Sequence, residues 1–201
     1  MHLKSLCVYC GAAFGGDPAF AAAASRFGEI LAARQIRLIY GGGSVGLMGT
    51  LARSVLTNGG AVTGIIPGFL RDREVMLKTV PDLVVTDDMH ERKRLMFDRA
   101  DAFVALPGGI GTLDELVEMM SWSQLGRHAK PIVLANLHGF WNPLIALIEH
   151  MESEGFLHKP HGGGDRRLHL VADTIEAIVP TIEAALGDGG GPASIGLTAA
   201  L

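Results

Sequence analysis

The chain has 201 residues, a formal net charge of −4 at pH 7 and two cysteines. A chain of this length fits one ordinary domain and can bury a substantial core. Its acidic balance argues against a nucleic-acid-binding protein, which needs a basic face. No second cysteine pair or histidine pair accompanies Cys7 and Cys10 to complete a zinc site.

The first residues run directly into a strand-like segment, without the apolar stretch and cleavage site of a signal peptide. No apolar run approaches the length that spans a membrane. We therefore expect a cytoplasmic protein with no membrane partner. Cys7 and Cys10 have the spacing of a redox motif. However, Cys7 falls inside the first predicted strand rather than at the start of a helix, so we interpret it as a small buried apolar residue.

Short apolar runs alternate with helical patterns along the chain, which is typical of a parallel sheet with crossover helices. The sequence therefore predicts an α/β fold: a doubly wound, mostly parallel sheet with helices on both faces. We expect one domain over residues 1–186, a surface loop or lid with a short turn at 68–78, and a glycine-rich, disordered tail at 187–201. The predicted strands are 3–9, 36–40, 61–66, 82–86, 102–106, 131–135 and 168–171, and the predicted helices are 18–34, 46–58, 90–100, 141–154 and 174–186, with a further helix through 116–120.

The first of two glycine-rich loops, residues 41–46, follows the second predicted strand. It fits the Gly-x-Gly-x-x-Gly pattern of dinucleotide-binding loops. That interpretation also needs an acidic residue at the end of the next strand to bind ribose hydroxyls, and that strand ends at Ile66 and Pro67 without one. Two hypotheses stay open. The loop contacts a mononucleotide or sugar phosphate, or its glycines form a tight turn where helix and strand pack closely.

The second glycine-rich loop, residues 107–111, lies between a predicted buried strand and a predicted helix. Such a turn aims free backbone N–H groups at one point, and the helix dipole adds positive potential there. The loop therefore predicts a phosphate site. Because both loops follow the carboxyl ends of predicted parallel strands, we expect them to face each other across one crevice at the switch in strand order.

Two carboxylates, Asp114 and Glu115, follow this second loop. Anion binding alone does not need them, and they would repel the anion, so they suggest chemistry on the sugar of a nucleotide. Each also has a structural alternative. Thr112 and Glu115 have the spacing of a capping box, and Asp114 at a helix start interacts favourably with the helix dipole. Both hypotheses stay open for Glu115.

A charged segment, residues 87–94, follows another predicted strand. Asp88 is predicted to cap the next helix, which would place Arg92 and Lys93 in its first turns, near the same ligand-binding edge. One interpretation is a solvated helix start. The other is a cation for a phosphate or a leaving group, for which Arg offers fork geometry and Lys a point charge.

Two of these motifs together resemble the LOG ("lonely guy") family: Met-His-x-Arg-Lys at 89–93 and Pro-Gly-Gly-x-Gly-Thr-x-x-Glu at 107–115. The similarity extends to Val-Tyr-Cys-Gly at 8–11, Gly-Gly-Gly-x-x-Gly-Leu-Met-Gly at 41–49 and Trp-Ser-Gln-Leu-Gly at 122–126. Members of this family are cytokinin riboside 5′-monophosphate phosphoribohydrolases, and many relatives once carried the label lysine decarboxylase. Nothing in this sequence marks a Schiff-base lysine.

The resemblance implies a Rossmann-like fold, a homodimer, and hydrolysis of the N-glycosidic bond of a purine nucleoside 5′-monophosphate, of cytokinin type or AMP. It implies catalysis by Arg92 and Glu115, with no metal and no other cofactor. The alternative is a nucleotide- or cofactor-binding protein without turnover, because molybdenum cofactor carriers share a similar fold and similar loops. Substrate or phosphate contacts are implied for Gly43, Gly46, Met89, Lys93, Pro107, Gly108, Gly109, Gly111, Thr112 and Asp114.

Two positions depart from the family pattern. Residues 11–13 read Gly-Ala-Ala where relatives often have Gly-Ser-Ser, so hydroxyl contacts are expected to be lost there. Asp114 stands where many relatives have glutamate, whereas the second carboxylate, Glu115, is kept.

Overall fold

The computed structural model describes residues 2–71, 80–157 and 167–187. Seven strands alternate with seven α-helices over these ranges. The strands are β1 (Ser5–Tyr9), β2 (Arg37–Tyr40), β3 (Val62–Pro67), β4 (Asp82–Thr86), β5 (Ala102–Ala105), β6 (Ile132–Ala135) and β7 (Leu170–Ala172). The helices are α1 (Pro18–Ala33), α2 (Gly46–Thr57), α3 (Gly68–Arg71), α4 (Met89–Arg99), α5 (Ile110–Gln124), α6 (Asn142–Ser153) and α7 (Ile175–Gly187).

The strands form a single sheet in the order β4-β3-β2-β1-β5-β6-β7. All six pairings among the described strands are parallel. The prediction of a mostly parallel sheet is therefore confirmed, and the described part of the sheet is entirely parallel. Strand order reverses between β1 and β5. The chain leaves β1 toward one edge of the sheet and returns through β5 toward the other, which opens a crevice at their carboxyl ends.

The sheet is covered on both faces because its central strands are continuous apolar runs. Helices α1, α2 and α7 pack on one face, where Phe27 and Ile178 meet Val8. Helices α4, α5 and α6 pack on the other face, where Met96 and Leu116 meet Phe103. The helices on both faces confirm the doubly wound α/β prediction.

Side-chain caps fix the starts of two helices at the ligand-binding edge. Asp17 accepts a hydrogen bond from the N–H of Ala19 at 2.8 Å, next to a proline at the first position of α1. Asp88 accepts one from the N–H of Glu91 at 2.8 Å, so the predicted cap of α4 is confirmed. The cap sets the first turns of α4 at the carboxyl edge of the sheet.

Two segment predictions need correction. Residues 68–71 form helix α3 rather than a loop, and 72–79, the rest of the predicted lid, lie outside the described residues. The last strand begins at Leu170 instead of 168. Of the predicted tail only Gly187 is described, as the last residue of α7, so the domain boundary at 186 and the disordered tail stay predictions. Within the described ranges, no helix is both long and apolar enough to cross a membrane.

Candidate active site

A cavity of about 450 Å³ opens at the carboxyl ends of β1 and β5. Its volume lies in the range of small-molecule sites. The wall is formed by the loop after β1, the first turns of α2, α4 and α5, the loop after β5, and Phe140 after β6. The cavity therefore lies at the switch in strand order, where open parallel sheets bind their ligands.

The loop after β1 closes one side of this cavity. The N–H of Gly11 donates to the carbonyl of Pro107 at 3.1 Å, which ties this loop to the loop after β5. The carbonyl of Gly11 accepts from the N–H groups of Leu47 and Met48, at 3.0 and 3.3 Å. These are donors of the first turn of α2, so a backbone carbonyl already satisfies the end of α2 that a phosphate would otherwise occupy.

The first glycine-rich loop therefore serves packing. Gly46 has a φ of +60°, and a Cβ there would collide with the backbone of Ala12. Gly42 has a φ of +81°, and a Cβ there would lie 2.9 Å from the Cβ of Ile66. Of the two hypotheses left open by the sequence, the tight turn is the one that this geometry supports. Gly43 and Gly46 do not line the cavity.

The start of α5 contradicts the capping-box hypothesis. The helix begins at Ile110, its N-cap is Gly109, and no side chain of the described residues caps it. Thr112 is thus the third helical residue rather than the N-cap, and Glu115 lies in the second turn. The first N–H groups of α5 have no intrahelical acceptor, and the cavity lies beside them. A Cβ on Gly108 would collide with the hydroxyl of Thr112, so glycine lets Thr112 lie against the loop.

Arg92 and Glu115 form an ion pair inside the cavity wall, with 3.2 Å between Arg92 Nη2 and Glu115 Oε1. Only 6% of Arg92 and 8% of Glu115 are exposed. The guanidinium also donates from Nη1 to the sulfur of Met89 at 3.7 Å. Its Nε is buried and has no hydrogen-bond partner among the described residues. The guanidinium therefore lines the cavity with its Nε donor buried in the wall and unused by the described residues.

Gly41, at the end of β2, makes room for this guanidinium. A Cβ on Gly41 would collide with Arg92 Nη2 and would lie 3.3 Å from the sulfur of Met48. The absence of a side chain at Gly41 thus allows Arg92 to lie across the strand end and reach Glu115. No sequence pattern signalled this role, because the contact joins segments 51 residues apart (92 − 41 = 51).

Lys93 points to a different set of partners. Its Nζ lies 2.6 Å from Asp114 Oδ2 and 3.4 Å from Glu118 Oε2. Burial opposes the charge of Lys93, but these carboxylates outweigh it and raise the pKa of the ammonium group. Lys93 does not line the cavity, whereas Asp114 does. Lys93 therefore forms a bridge between α4 and α5, and its phosphate contact stays a prediction.

Most of the other predicted site residues come together. The cavity lining contains Met89, Arg92, Pro107, Gly108, Gly109, Gly111, Thr112, Asp114 and Glu115. Sequence reasoning missed the loop over residues 10–15, together with Phe20, Leu47, Met48 and Phe140. The departure from Gly-Ser-Ser at 11–13 was the available signal for that loop. The four apolar residues carry no motif and reach the cavity only through the fold.

The two cysteines are buried, as expected for Cys7. Burial raises the pKa of both thiols well above the ordinary value, so both are neutral near pH 7. Among the residues that the structure describes, no group of three His, Cys, Asp or Glu side chains is arranged to hold a metal ion.

Comparison with known proteins adds to this geometry. The family described as "Possible lysine decarboxylase" matches residues 48–182. The probable cytokinin riboside 5′-monophosphate phosphoribohydrolase LOGL1 of Oryza sativa subsp. japonica is 48% identical over 152 residues, which cover 76% of this chain and 68% of that protein. The phosphoribohydrolase LOG7 of Arabidopsis thaliana is 46% identical over 156 residues, covering 78% of this chain and 72% of that protein. The chain belongs to the LOG family.

The solved structures similar to this LOG family member include the Moco carrier protein of Chlamydomonas reinhardtii. It matches with a TM-score of 0.70 and 18% sequence identity, over 94% of this chain and 100% of the carrier. At that identity the likeness concerns the fold alone. It confirms the Rossmann-like expectation and says nothing about the ligand.

Proposed function

We propose that this protein hydrolyses the N-glycosidic bond of a purine nucleoside 5′-monophosphate, of cytokinin type or AMP, to the free base and ribose 5-phosphate. The curated relatives carry the name of this activity. The single observation that supports it best is the Arg92–Glu115 pair, buried in a cavity beside the uncapped start of α5.

The burial of this pair is itself informative. Removing two charges from water costs several kcal/mol per ion, which their mutual attraction does not always repay, so a buried ion pair is weak support for stability. Leu116, which follows Glu115 in α5, is fully buried among apolar side chains and illustrates what packing alone would favour. A charged pair in a ligand-sized cavity is better explained by the reaction it assists.

The phosphate of the substrate would bind at the start of α5. The first N–H groups of the helix lie beside the cavity, and the helix dipole favours an anion there. Gly108, Gly109 and Gly111 add no side chain that would block the approach, and the hydroxyl of Thr112 supplies a further donor. This binding energy would hold the sugar in place without itself taking part in bond cleavage.

Glu115 would act at the anomeric carbon. It lies five residues beyond Ile110, which corresponds to roughly 7.5 Å along the helix axis, a distance comparable with the length of ribose 5-phosphate. Cleavage builds positive charge on the ribose ring, and a carboxylate stabilises it. Glu115 would also orient or deprotonate the water whose oxygen bonds to C1′, while the electron pair of the broken bond leaves with the base nitrogen, which takes up a proton.

Arg92 would contribute through its guanidinium, which lines the cavity. The ion pair with Glu115 fixes the guanidinium plane, and the group would contact a ribose hydroxyl, the phosphate or the leaving base. The same pair would orient the Glu115 carboxylate. Arg92 would therefore serve both as a ligand of the substrate and as the partner of the catalytic carboxylate.

The test is direct. The purified protein is incubated with AMP and, separately, with isopentenyladenosine 5′-monophosphate, and free base and ribose 5-phosphate are measured by chromatography. We expect equal amounts of both products from at least one substrate, and no base from the nucleosides that lack phosphate. Tight binding of the nucleotides without release of base would contradict the proposal and favour the carrier alternative. That alternative rests at present on a likeness of fold alone.

Two further expectations stay proposals. A homodimer is implied by the family resemblance and is tested by light scattering of the purified protein. A cytoplasmic location is tested by fractionation of the source cells.

A further inference from the structure

Asp114 is out of place in a phosphate site. It lies in the second turn of α5, lines the cavity, and its side chain is 57% exposed. A carboxylate here repels the substrate phosphate that the start of α5 attracts. Because Asp114 caps no helix, helix chemistry alone does not explain its position at the cavity wall.

Lys93 lies on the side of Asp114 that faces away from the cavity. Its side chain is 14% exposed, and its ammonium group has one carboxylate on each side, Asp114 at 2.6 Å and Glu118 at 3.4 Å. It does not line the cavity, so a direct bond to phosphate would require the ammonium to move toward the cavity. The contact with Asp114 is the shortest ion pair that the described residues form between α4 and α5.

We propose that Lys93 is a positioning residue that neutralises Asp114, so that the cavity keeps its affinity for the phosphate of the substrate although a carboxylate lines it. Lys93 acts through Asp114 and does not contact the phosphate. The inference rests on the proposed function, because it takes the substrate to be a phosphate monoester. It predicts whether each substitution at Lys93 and Asp114 raises or lowers the affinity for phosphate, and other roles of Lys93 predict different directions.

The physical argument is a count of charges. Lys93, Asp114 and Glu118 together carry one net negative charge, and removing the ammonium leaves two, one of them on the cavity wall. At separations of about 7 Å and an effective dielectric constant of about 40, one uncompensated charge weakens the binding of an anion about 10-fold. Removing the charge of Asp114 instead leaves Lys93 between the cavity and Glu118, and should strengthen binding.

The experiment measures the affinity for ribose 5-phosphate by calorimetry, which does not depend on turnover. Lys93→Met should weaken binding about 10-fold at low salt, and less at 0.5 M NaCl because salt screens exposed charges. Asp114→Asn should bind more tightly than the unmodified protein. The double variant Lys93→Met/Asp114→Asn should regain at least the original affinity. Lys93→Arg, which keeps the charge, should bind normally.

A matched control is Glu118→Gln, which removes the other partner of Lys93 but changes no residue of the cavity wall. Its affinity should stay within about twofold of the original, since Lys93 still faces Asp114. With AMP, Lys93→Met should raise KM in parallel with the loss of affinity and leave kcat within about twofold. Circular dichroism checks that each variant is folded.

Three results would overturn the inference. A double variant as weak as Lys93→Met would mean that Lys93 itself binds the phosphate. An Asp114→Asn variant as weak as Lys93→Met would mean that the ion pair only holds the two helices together. Normal affinity of Lys93→Met would mean that Asp114 does not act on the ligand. If the unmodified protein binds neither ribose 5-phosphate nor AMP, the proposed function fails first.

Discussion

Among the ion pairs that join helices α4 and α5, Arg92–Glu115 and Lys93–Asp114 involve neighbouring residues but differ in burial and in their position relative to the cavity. Arg92 and Glu115 are nearly excluded from solvent and point into the cavity. Lys93 follows Arg92 in α4, and Asp114 precedes Glu115 in α5. More than half of the Asp114 side chain is exposed. The sequence shows only the dipeptides Arg-Lys and Asp-Glu, and neither indicates which of its residues faces the cavity.

Neighbouring charged residues of one motif therefore have different roles, and each role has to be established for each residue separately. A helix turns about 100° per residue, so adjacent side chains leave the axis in different directions. The inner pair is positioned for chemistry on a ligand, and the outer pair for adjusting the charge around it. Substitutions that affect the two pairs unequally test whether they have these separate roles.

The largest effect is expected from Arg92→Ala. It removes the donor at the cavity wall and leaves Glu115 as a buried carboxylate without its cation, which costs both substrate contacts and orientation. The expected fall in kcat/KM is at least about 10²-fold, the scale of a lost charge-stabilising group. Steady-state release of adenine from AMP measures it. Activity close to normal would remove Arg92 from the site.

Glu115→Gln should lower kcat by about 10²-fold or more while KM changes little, since the phosphate contacts remain. The variant removes the carboxylate charge with almost no change in volume, so the fold should persist. Glu118→Gln, one turn further along α5 and outside the cavity, is the matched control and should keep normal kcat. Equal activity of the two variants would end the distinction between inner and outer carboxylates.

Gly41→Ala tests the inner pair without touching either charge. The added methyl group meets Arg92 Nη2, while the backbone of Gly41 has no positive φ that would strain alanine. Displacing a catalytic group by about 1 Å can cost as much as 10²-fold, so we expect a fall in kcat of roughly 10-fold or more. Gly16→Ala, where a Cβ has open space, should be neutral. A fully active Gly41→Ala variant would show that Arg92 has room to move.

The smallest effect is expected at Asp88, which caps the start of α4, the helix that carries Arg92 and Lys93. The hydrogen bond from the N–H of Glu91 lowers the pKa of Asp88, so its contribution to stability is present above the pKa of the unfolded chain and is lost as pH falls through the lower folded value. Asparagine caps helices about as well and does not titrate. Asp88→Asn should therefore melt close to the unmodified protein near pH 7 and lose less stability below pH of about 4. Parallel melting curves at all pH values would contradict this.

The strands and helices were largely predictable because each is a local pattern. Buried parallel strands are apolar runs, and glycine and asparagine mark their ends, so most predicted boundaries lie within two residues of the observed ones. Local patterns also misled. Thr112 and Glu115 have capping-box spacing, yet the α5 helix starts two residues before Thr112, because the glycine loop allows the chain to enter helical geometry earlier.

The two glycine-rich loops also show that a local pattern does not decide whether a helix start is free to bind an anion. Both follow a strand and precede a helix, so the sequence predicts a phosphate site at the second loop and leaves open for the first either a ligand contact or a tight packing turn. In the structure the carbonyl of Gly11 satisfies Leu47 and Met48 at the start of α2, whereas the start of α5 has no side-chain cap from any described residue. A carbonyl supplied by a third segment decides between them, and no pattern within either loop contains that information.

The α/β architecture, the motif that ends in Glu115 and the presence of a cation near it could all be predicted from the sequence, because they depend on residue type and on spacing along one segment. The folded structure was needed to show which cation faces the cavity, that Gly41 makes room for Arg92, and that Lys93 bridges to Asp114. Such contacts join different strand ends of the sheet, and their geometry follows from strand order and helix rotation, which a linear pattern does not record.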